Sequence, residues 1–352
     1  MPGTLVRRVV LRIAVGLVGL GLGLVRRRDN RIVLLGDPLL GNLAAFAAYL
    51  EREHPEIEVL QVGFARRGAV GARAADGRHL GTLIRVARSR AILSSAGPHA
   101  LRPWVRARRR PLFIDVWHGV GFKARVSTAG REFVSYDAHF VSSPHVAGYY
   151  RRFGAHPVVT GYARMDGMIA APPPPERLVL VAPTWASETA LDVRTVLETV
   201  SAHAEEHDYE VAYRPHNYST AVTLDGLPRV RLHDRAVALE PTAALLRSAV
   251  LITDWSSIAT DFLVLGRPIV YLQGATPRDP GPLGLDDRPG PVVSTSAELR
   301  RALDSAIAAP DDAIADFASA RVTTLERAWG GYAGRSCRRA VPRRDPATGG
   351  IA

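Results

Sequence analysis

Short apolar runs recur along this chain, each bounded by polar or turn-forming residues and most followed by a stretch whose apolar positions fall at helical spacing. RIVLLG (31–36) reads as a buried strand and NLAAFAAYLERE (42–53) as the helix behind it, with Asn42 placed to cap its start. IEVLQVG (57–63), AILSS (91–95), PLFIDVW (111–117), AHFVSS (138–143) and HPVVTG (156–161) predict further strands. Strands that alternate with helices in this way build a parallel sheet. APPPPE (171–176) then interrupts the pattern, because four consecutive prolines fit neither a helix nor a central strand and make a stiff connector.

Behind the prolines the alternation restarts. RLVLVAP (177–183), a helix around 191–207, YEVAYRP (209–215), RVRLHD (229–234), AVLITD (249–254), a helix from 256 and PIVYLQ (268–273) form a second series. The fold class is therefore α/β, with two Rossmann-like domains, 30–170 and 177–333, facing a cleft across the linker at 171–176. SAELRRALDSAIAAP and the segment through Trp329 close the second domain as helices, and 334–352, rich in Arg, Pro, Gly and Ala, reads as a disordered tail.

Residues 1–29 follow a different rule. An uninterrupted apolar run from Ile13 to Val25 is flanked by Arg7, Arg8 and Arg12 on one side and Arg26–Arg28 on the other, with no acid among them. Thirteen residues fall short of the roughly 20 a spanning helix needs, and no small-residue cleavage site precedes the arginines. The pattern predicts a membrane-contacting helix on the anionic, cytoplasmic face of a membrane, with a plain buried first helix as the alternative.

Composition narrows the chemistry. With 352 residues, 47% hydrophobic and 22% charged, the chain is globular and long enough for two cores, since single cores rarely outgrow about 250 residues. A net charge of +11 and a pI near 10.4 call for an acidic partner: a phosphorylated small molecule, a nucleic acid or an anionic lipid. Arginine runs such as RARRR (106–110) lack interleaved stacking aromatics and no recognition motif accompanies them, which argues against nucleic acid. Cys337 is the single cysteine, so neither a disulfide framework nor a thiolate metal site can form within the chain. Lys123 is the single lysine in a chain that otherwise uses arginine, a bias that reflects base composition except where it is broken. A compact ammonium that pairs an anion in a tight space is not replaced by a planar guanidinium.

In parallel α/β sheets ligands bind beyond the carboxyl ends of strands, and four stretches fall there. In DVWHGVGFK, Trp117 ends a strand, His118 leaves it with an imidazole that can take a proton from a hydroxyl nucleophile, and Gly119 and Gly121 let the backbone turn close to a ligand. On position alone such a histidine is as often a packing group as a base. In YRPHN, Arg214 and His216 sit at one rim and suit a pyrophosphate, with a plain surface turn as the alternative. In LITDWSSIATDF, Asp254 ends a buried strand, Ser256 and Ser257 open a helix as phosphate ligands or ordinary caps, and Asp261 suits a ribose or polyol hydroxyl. VAPTWA puts the Thr184 hydroxyl and the Trp185 ring at the rim, and GYARMD ends the first series with Arg164 and Asp166.

Taken together, WHGVGFK, GYARMD, APTW, RPHN and TDWSSIATDFLVLGRPI resemble, in the same order, the motifs of the CDP-glycerol glycerophosphotransferase family, which includes teichoic acid primases and polymerases. The resemblance spans about residues 31–310 and implies a glycosyltransferase-B-like fold. It also implies metal-independent transfer of a polyol phosphate from a CDP-activated donor, without a cofactor, to a polyprenyl-linked acceptor at the membrane. By position it makes His118 the base on the acceptor hydroxyl and gives His216, with Arg214, the donor pyrophosphate. It assigns phosphate to Ser256, Ser257 and Lys123, donor hydroxyls or nucleotide to Asp261, Thr184 and Asp254, and the cleft wall to Trp117, Gly119, Arg164 and Asp166. The stretch GVGF after His118, Asn217 after the Arg-Pro-His and Trp255 before the serines depart from the family pattern, and they leave CDP-ribitol, or a nucleotide sugar on the same fold, as alternative donors.

Overall fold

The alternating runs resolve into two parallel sheets. The computed structural model describes residues 30–63, 74–77, 79–95, 111–117, 119–123, 136–170, 172–184, 189–216, 219, 222–234, 239–274, 280–331 and 336–340. The first sheet contains β1 (Arg31–Leu35), β2 (Glu58–Gly63), β3 (Ala75–Asp76), β4 (Ala91–Ser94), β5 (Leu112–Asp115), β6 (Ala138–Val141) and β7 (Pro157–Val159), in the order β3-β2-β1-β4-β5-β6-β7. The second contains β8 (Leu178–Val181), β9 (Glu210–Tyr213), β10 (Val230–Leu232), β11 (Val250–Thr253), β12 (Ile269–Leu272) and β13 (Val292–Val293), in the order β10-β9-β8-β11-β12-β13. All neighbours in both sheets run parallel. Each order reverses beside its first strand, at β1/β4 and at β8/β11, and that reversal opens a crevice at the carboxyl ends.

Strands β4, β8, β11 and β12 are buried along their whole length, which is why they read as unbroken apolar runs rather than alternating ones. Every strand the sequence predicts is present, and all but β2 end short of the predicted run, because the last residues leave the sheet to form loops. The edge strands β3 and β13, two residues each, are too short to carry a periodic signal.

The helices are α1 (Gly41–Glu53), α2 (Leu80–Ala87), α3 (Pro144–Arg151), α4 (Met165–Ala170), α5 (Val193–His207), α6 (Thr242–Arg247), α7 (Ile258–Leu263), α8 (Ser296–Ala308), α9 (Pro310–Ala315), α10 (Ala318–Trp329) and α11 (Ser336–Ala340). Three starts follow local chemistry: Ser143 Oγ accepts from Val146 N–H at α3, the Asp192 carboxylate accepts from Thr195 N–H at α5, and Thr295 with Glu298 forms a capping box at α8. Asn42 does not cap α1. The cap position is Leu40, and Asn42 lies inside the first turn with its amide turned toward the end of β5. Among the described residues no helix is long and apolar enough to cross a membrane; the basic apolar segment at 1–29 lies outside them.

The proline stretch runs between the two sheets and is tied to the second. Arg267, buried, donates to the carbonyls of Leu246 and Ser248 (2.7 Å each) and of Pro173 (2.6 Å). Burial pushes its pKa below the usual arginine value, an effect that three carbonyl dipoles offset in part.

The domains do not merely face each other, because one apolar cluster runs through both. It joins Val141, Tyr162 and Met165 of the first domain to Leu180, Phe262 and Tyr271 of the second. Helix α10 crosses back onto α3: Trp329 meets Tyr162 edge to face, its indole N–H donates to Thr260 O at 3.0 Å, and Ser143 Oγ bonds Arg327 O at 2.5 Å. Residues 336–340, within the stretch expected to be a disordered tail, form α11 against α1 and α4, and Ser336 N–H donates to Asp166 Oδ1 at 3.1 Å. Asp166, expected in the cleft wall, thus binds the start of this returning helix instead. The rest of the tail, 341–352, lies outside the described residues.

Trp329→Ala should lower the unfolding free energy by about 3–5 kcal/mol, the usual cost of deleting a buried tryptophan. The measurement is a denaturant titration followed by far-ultraviolet circular dichroism; an unshifted midpoint would mean that α10 does not hold the domains together.

Candidate active site

The carboxyl ends of both sheets open into a solvent-accessible cleft of about 380 Å³. Gly41 and Ser95, beyond β1 and β4, line it from the first domain; Arg214, His216, Ser256 and Ser257, beyond β9 and β11, line it from the second. These are the positions at which the two strand orders reverse, or next to them, so the cleft follows from the topology.

The loop after β5 forms the seam between the domains. His118 lies outside the described residues, but both of its neighbours are fixed. The Asn42 amide donates to Val116 O at 3.1 Å and to Trp117 O, while Asn42 Oδ1 accepts Arg164 N–H at 3.2 Å. One buried amide therefore ties the first turn of α1, the WHG loop and the GYAR loop together. Sequence reading missed this role because an Asn beside a helix start looks like a cap.

On the other side of His118, a methyl group at Gly119 would sit 3.0 Å from Ser257 Oγ and 3.2 Å from its Cβ, so a larger residue would press the two loops apart. Val120 O accepts the Thr260 hydroxyl at 2.8 Å, Phe122 O accepts Gly281 N–H at 2.8 Å, and Lys123 forms an antiparallel bridge with Pro280. A Cβ at Gly281 would overlap the carbonyl oxygens of Gly121 and Lys123. The seam is thus backbone on backbone. Lys123 emerges from it with its ammonium 5.6 Å from the Trp255 ring centroid, a cation–π contact with the residue that departs from the family's tyrosine.

Arg164 and Asp261 meet at the base of the cleft, across the domains. The guanidinium donates to both carboxylate oxygens, at 2.6 and 2.8 Å, and the side chains are only 8% and 6% exposed. Burial works against the Arg164 charge, but the charge and hydrogen bonds of Asp261 outweigh it and hold the guanidinium above its ordinary value. Burial likewise raises the Asp261 carboxyl, with Arg164 opposing. The two-bond fork is the geometry of an ionised pair. Asp261, which the resemblance gives to a donor hydroxyl, thus also holds Arg164 across the domain boundary, with both residues lining the cleft.

Asp254 and Thr184 also turn to each other. Asp254 Oδ2 accepts from Thr184 N–H (3.0 Å) and Oγ1 (2.7 Å), and Oδ1 accepts Ser256 N–H at 3.0 Å. Fully buried, Asp254 pins the APT loop to the WSS loop, and the Thr184 hydroxyl is turned toward it. Trp185 lies outside the described residues. Ser257 occupies the cap position of α7 yet makes no capping bond, and Ser256 Oγ lies 3.5 Å from Ile258 N. Both serines line the cleft, but α7 spans six residues and contributes little dipole, so their hydroxyls and nearby N–H groups carry whatever anion affinity they have.

Arg214 donates to the carbonyls of His233 (3.0 Å) and Leu239 (3.3 Å), which fixes the segment beyond β10 while its side chain lines the cleft. His216 senses charges from both domains: burial lowers its pKa first, Lys123 lowers it further, and Asp254 opposes. In the unliganded protein His216 is therefore neutral at pH 7. The position of Lys123 is the part that sequence could not supply: the ammonium of the WHG motif stands within electrostatic reach of the RPH motif.

The pH profile follows from these signs. If kcat/KM requires neutral His216 in the free enzyme, its acidic limb should lie below the ordinary histidine pKa of about 6.5. Lys123→Met removes a positive charge, so the His216 pKa should rise and the limb should move to higher pH. The check is the ring titration of His216 by NMR in both proteins, and an unmoved pKa would remove the coupling.

Residues 25–327 match the CDP-glycerol:poly(glycerophosphate) glycerophosphotransferases, a span slightly wider than the motifs alone suggest. No curated protein matches the chain by sequence. Among solved structures, the chain is similar to a histidine-to-alanine variant of the wall teichoic acid polymerase TagF, with a TM-score of 0.71 and 15% identity over 94% of this chain and 96% of that one. A histidine-to-asparagine TagF variant soaked with CDPG gives 0.69 and 16%, covering 89% and 88%. The UDP-GlcNAc 2-epimerase of Methanocaldococcus jannaschii, in complex with UDP-GlcNAc and UDP, gives 0.55 and 11%, covering 89% and 98%. At such identities the structural likeness shows the fold alone, two Rossmann-like domains in the glycosyltransferase-B arrangement. The sequence match runs from the end of the basic N-terminal stretch almost to the end of α10, and the chain belongs to the CDP-glycerol:poly(glycerophosphate) glycerophosphotransferase family.

Proposed function

We propose that the cleft transfers glycerol phosphate from CDP-glycerol to an acceptor hydroxyl in the synthesis of a teichoic-acid-like polymer. The observation that carries this reading is the meeting of two motifs across the seam: Lys123 of the first domain is within electrostatic reach of His216 of the second, which lines the cleft with Ser256 and Ser257. Cationic and hydroxyl groups converge where a pyrophosphate would sit, in a protein of this family.

The acceptor oxygen attacks the phosphorus that bears glycerol, and the bond from that phosphorus to the bridging oxygen breaks. CMP leaves with the bridging oxygen. His118, by its place in the WHG motif, takes the proton of the attacking hydroxyl. His216 is neutral and donates its ring N–H as a hydrogen bond to the donor phosphates, which holds the charge that gathers on the leaving phosphate oxygen. Lys123, Arg214 and the two serines hold the phosphates. In this reading the acceptor is lipid-linked, and the basic apolar segment at 1–29 holds the enzyme at the cytoplasmic face of the membrane.

The test is CMP release from CDP-glycerol by the full chain in detergent, with and without a lipid-linked glycerol phosphate acceptor. Acceptor-dependent CMP supports the reading; turnover with CDP-ribitol in place of CDP-glycerol would change the donor, and absence of binding to any cytidine nucleotide would overturn it. His118→Ala should reduce kcat by about 100-fold or more while leaving the CDP-glycerol dissociation constant within a few-fold, because a general base acts in the transition state. Arg214→Ala should instead weaken donor binding, measured as a raised dissociation constant by calorimetry.

A further inference from the structure

At the end of the second domain away from the cleft, three metal-ligating side chains converge. His203 and His207 stand one turn apart on α5, so both rings fall on one helical face, and Asp304 reaches them from α8. The His203 Nε2 atom lies 2.9 Å from Asp304 Oδ1 and His207 Nε2 lies 3.6 Å from the same oxygen, with the two rings stacked at a centroid distance of 4.1 Å. The three ligand atoms all lie within 4.8 Å of one another. Ligand arms of about 2.0–2.2 Å at a tetrahedral angle place neighbouring ligand atoms roughly 3.3 Å apart. The two measured separations bracket that edge, so small side-chain adjustments suffice.

The surroundings fit a cation. His203 is fully buried, and its Nδ1 lies 2.9 Å from the hydroxyl of buried Tyr209, which fixes the ring and leaves Nε2 aimed at the cluster. A ligating histidine held through its other ring nitrogen is the usual arrangement around zinc. His207 is the last residue of a 15-residue helix, where the negative end of the helix dipole favours positive charge. The nearest cation, Arg300, is bound to Glu206. His207 and Asp304 remain half exposed, which gives an ion a path in and a place for water in the fourth position.

We propose that His203, His207 and Asp304 form a zinc site that clips α5 to α8. Its ligands stand beside the start of β9, the opposite end of that strand from His216, so the ion would stabilise the donor domain without touching the transfer reaction. The hydroxyl of Tyr209 can donate or accept, so the proton displaced from His203 Nε2 can be replaced by one on Nδ1. The site departs from the expectation, drawn from the sequence, of a protein without metal ligands.

The full chain, stripped with a chelator and dialysed, is titrated with Zn²⁺ by calorimetry, and with Co²⁺ for the visible absorption of a tetrahedral site. Wild type should take up one ion per chain and melt at a higher temperature with it. Because His207 and Asp304 are exposed, H207Q and D304N should fold normally, bind at least about tenfold more weakly, and lose the thermal shift, with CMP release unchanged. Stoichiometric uptake that persists undiminished in the H207Q/D304N double variant, or no uptake by wild type, would overturn the site.

Discussion

The Arg164–Asp261 pair is the constraint on which the cleft depends. Each charge is buried at the domain boundary, where desolvation costs several kcal/mol per ion and only a well-formed partner repays it. Neither residue can keep its charge there alone. The two domains are therefore required to meet in the one arrangement that brings a guanidinium from the GYAR loop onto a carboxylate of α7. Around that pair, Asn42 carries the constraint to the WHG loop, because its amide bonds the carbonyls before His118 and its oxygen holds the amide of Arg164 itself.

The second consequence is rigidity where a hinge might be expected. Interfaces between domains of one chain are usually polar and permit relative motion. Here an apolar cluster is continuous across the boundary, α10 packs on α3, and the glycine-lined seam at 119–123 and 280–283 puts backbone against backbone. A cleft walled this way keeps Lys123 at a set position relative to Trp255 and His216. Its electrostatics are therefore a property of the assembled pair of domains, not of either one.

Much of the fold was legible because its signals are local. The apolar runs marked the buried strands, the proline stretch marked the boundary between sheets, and Asp192 and Thr295 sit where helix starts need an acceptor. The site was legible in part. The RPH and WSS motifs line one cleft, but Asp254 and Thr184 bond each other, Asp166 holds α11, and Asp261 neutralises Arg164. A carboxylate at a strand or helix end looks the same in sequence whether it faces a ligand or a neighbour. Asn42 was misread for the same reason, since an amide near a helix start has two uses and only its surroundings select one.

Sequence by itself determined the series of strands and helices, the division into two parallel sheets and the family, since hydrophobic period, proline and ordered motifs are all written within short stretches of chain. Tertiary structure decided which side chains meet. Arg164 and Asp261 are 97 residues apart, and His203 and Asp304 are 101 apart, and no local preference of either partner encodes the other. Those pairings arise only when packing buries both groups together, and burial is what makes an unpaired charge or amide too costly to leave.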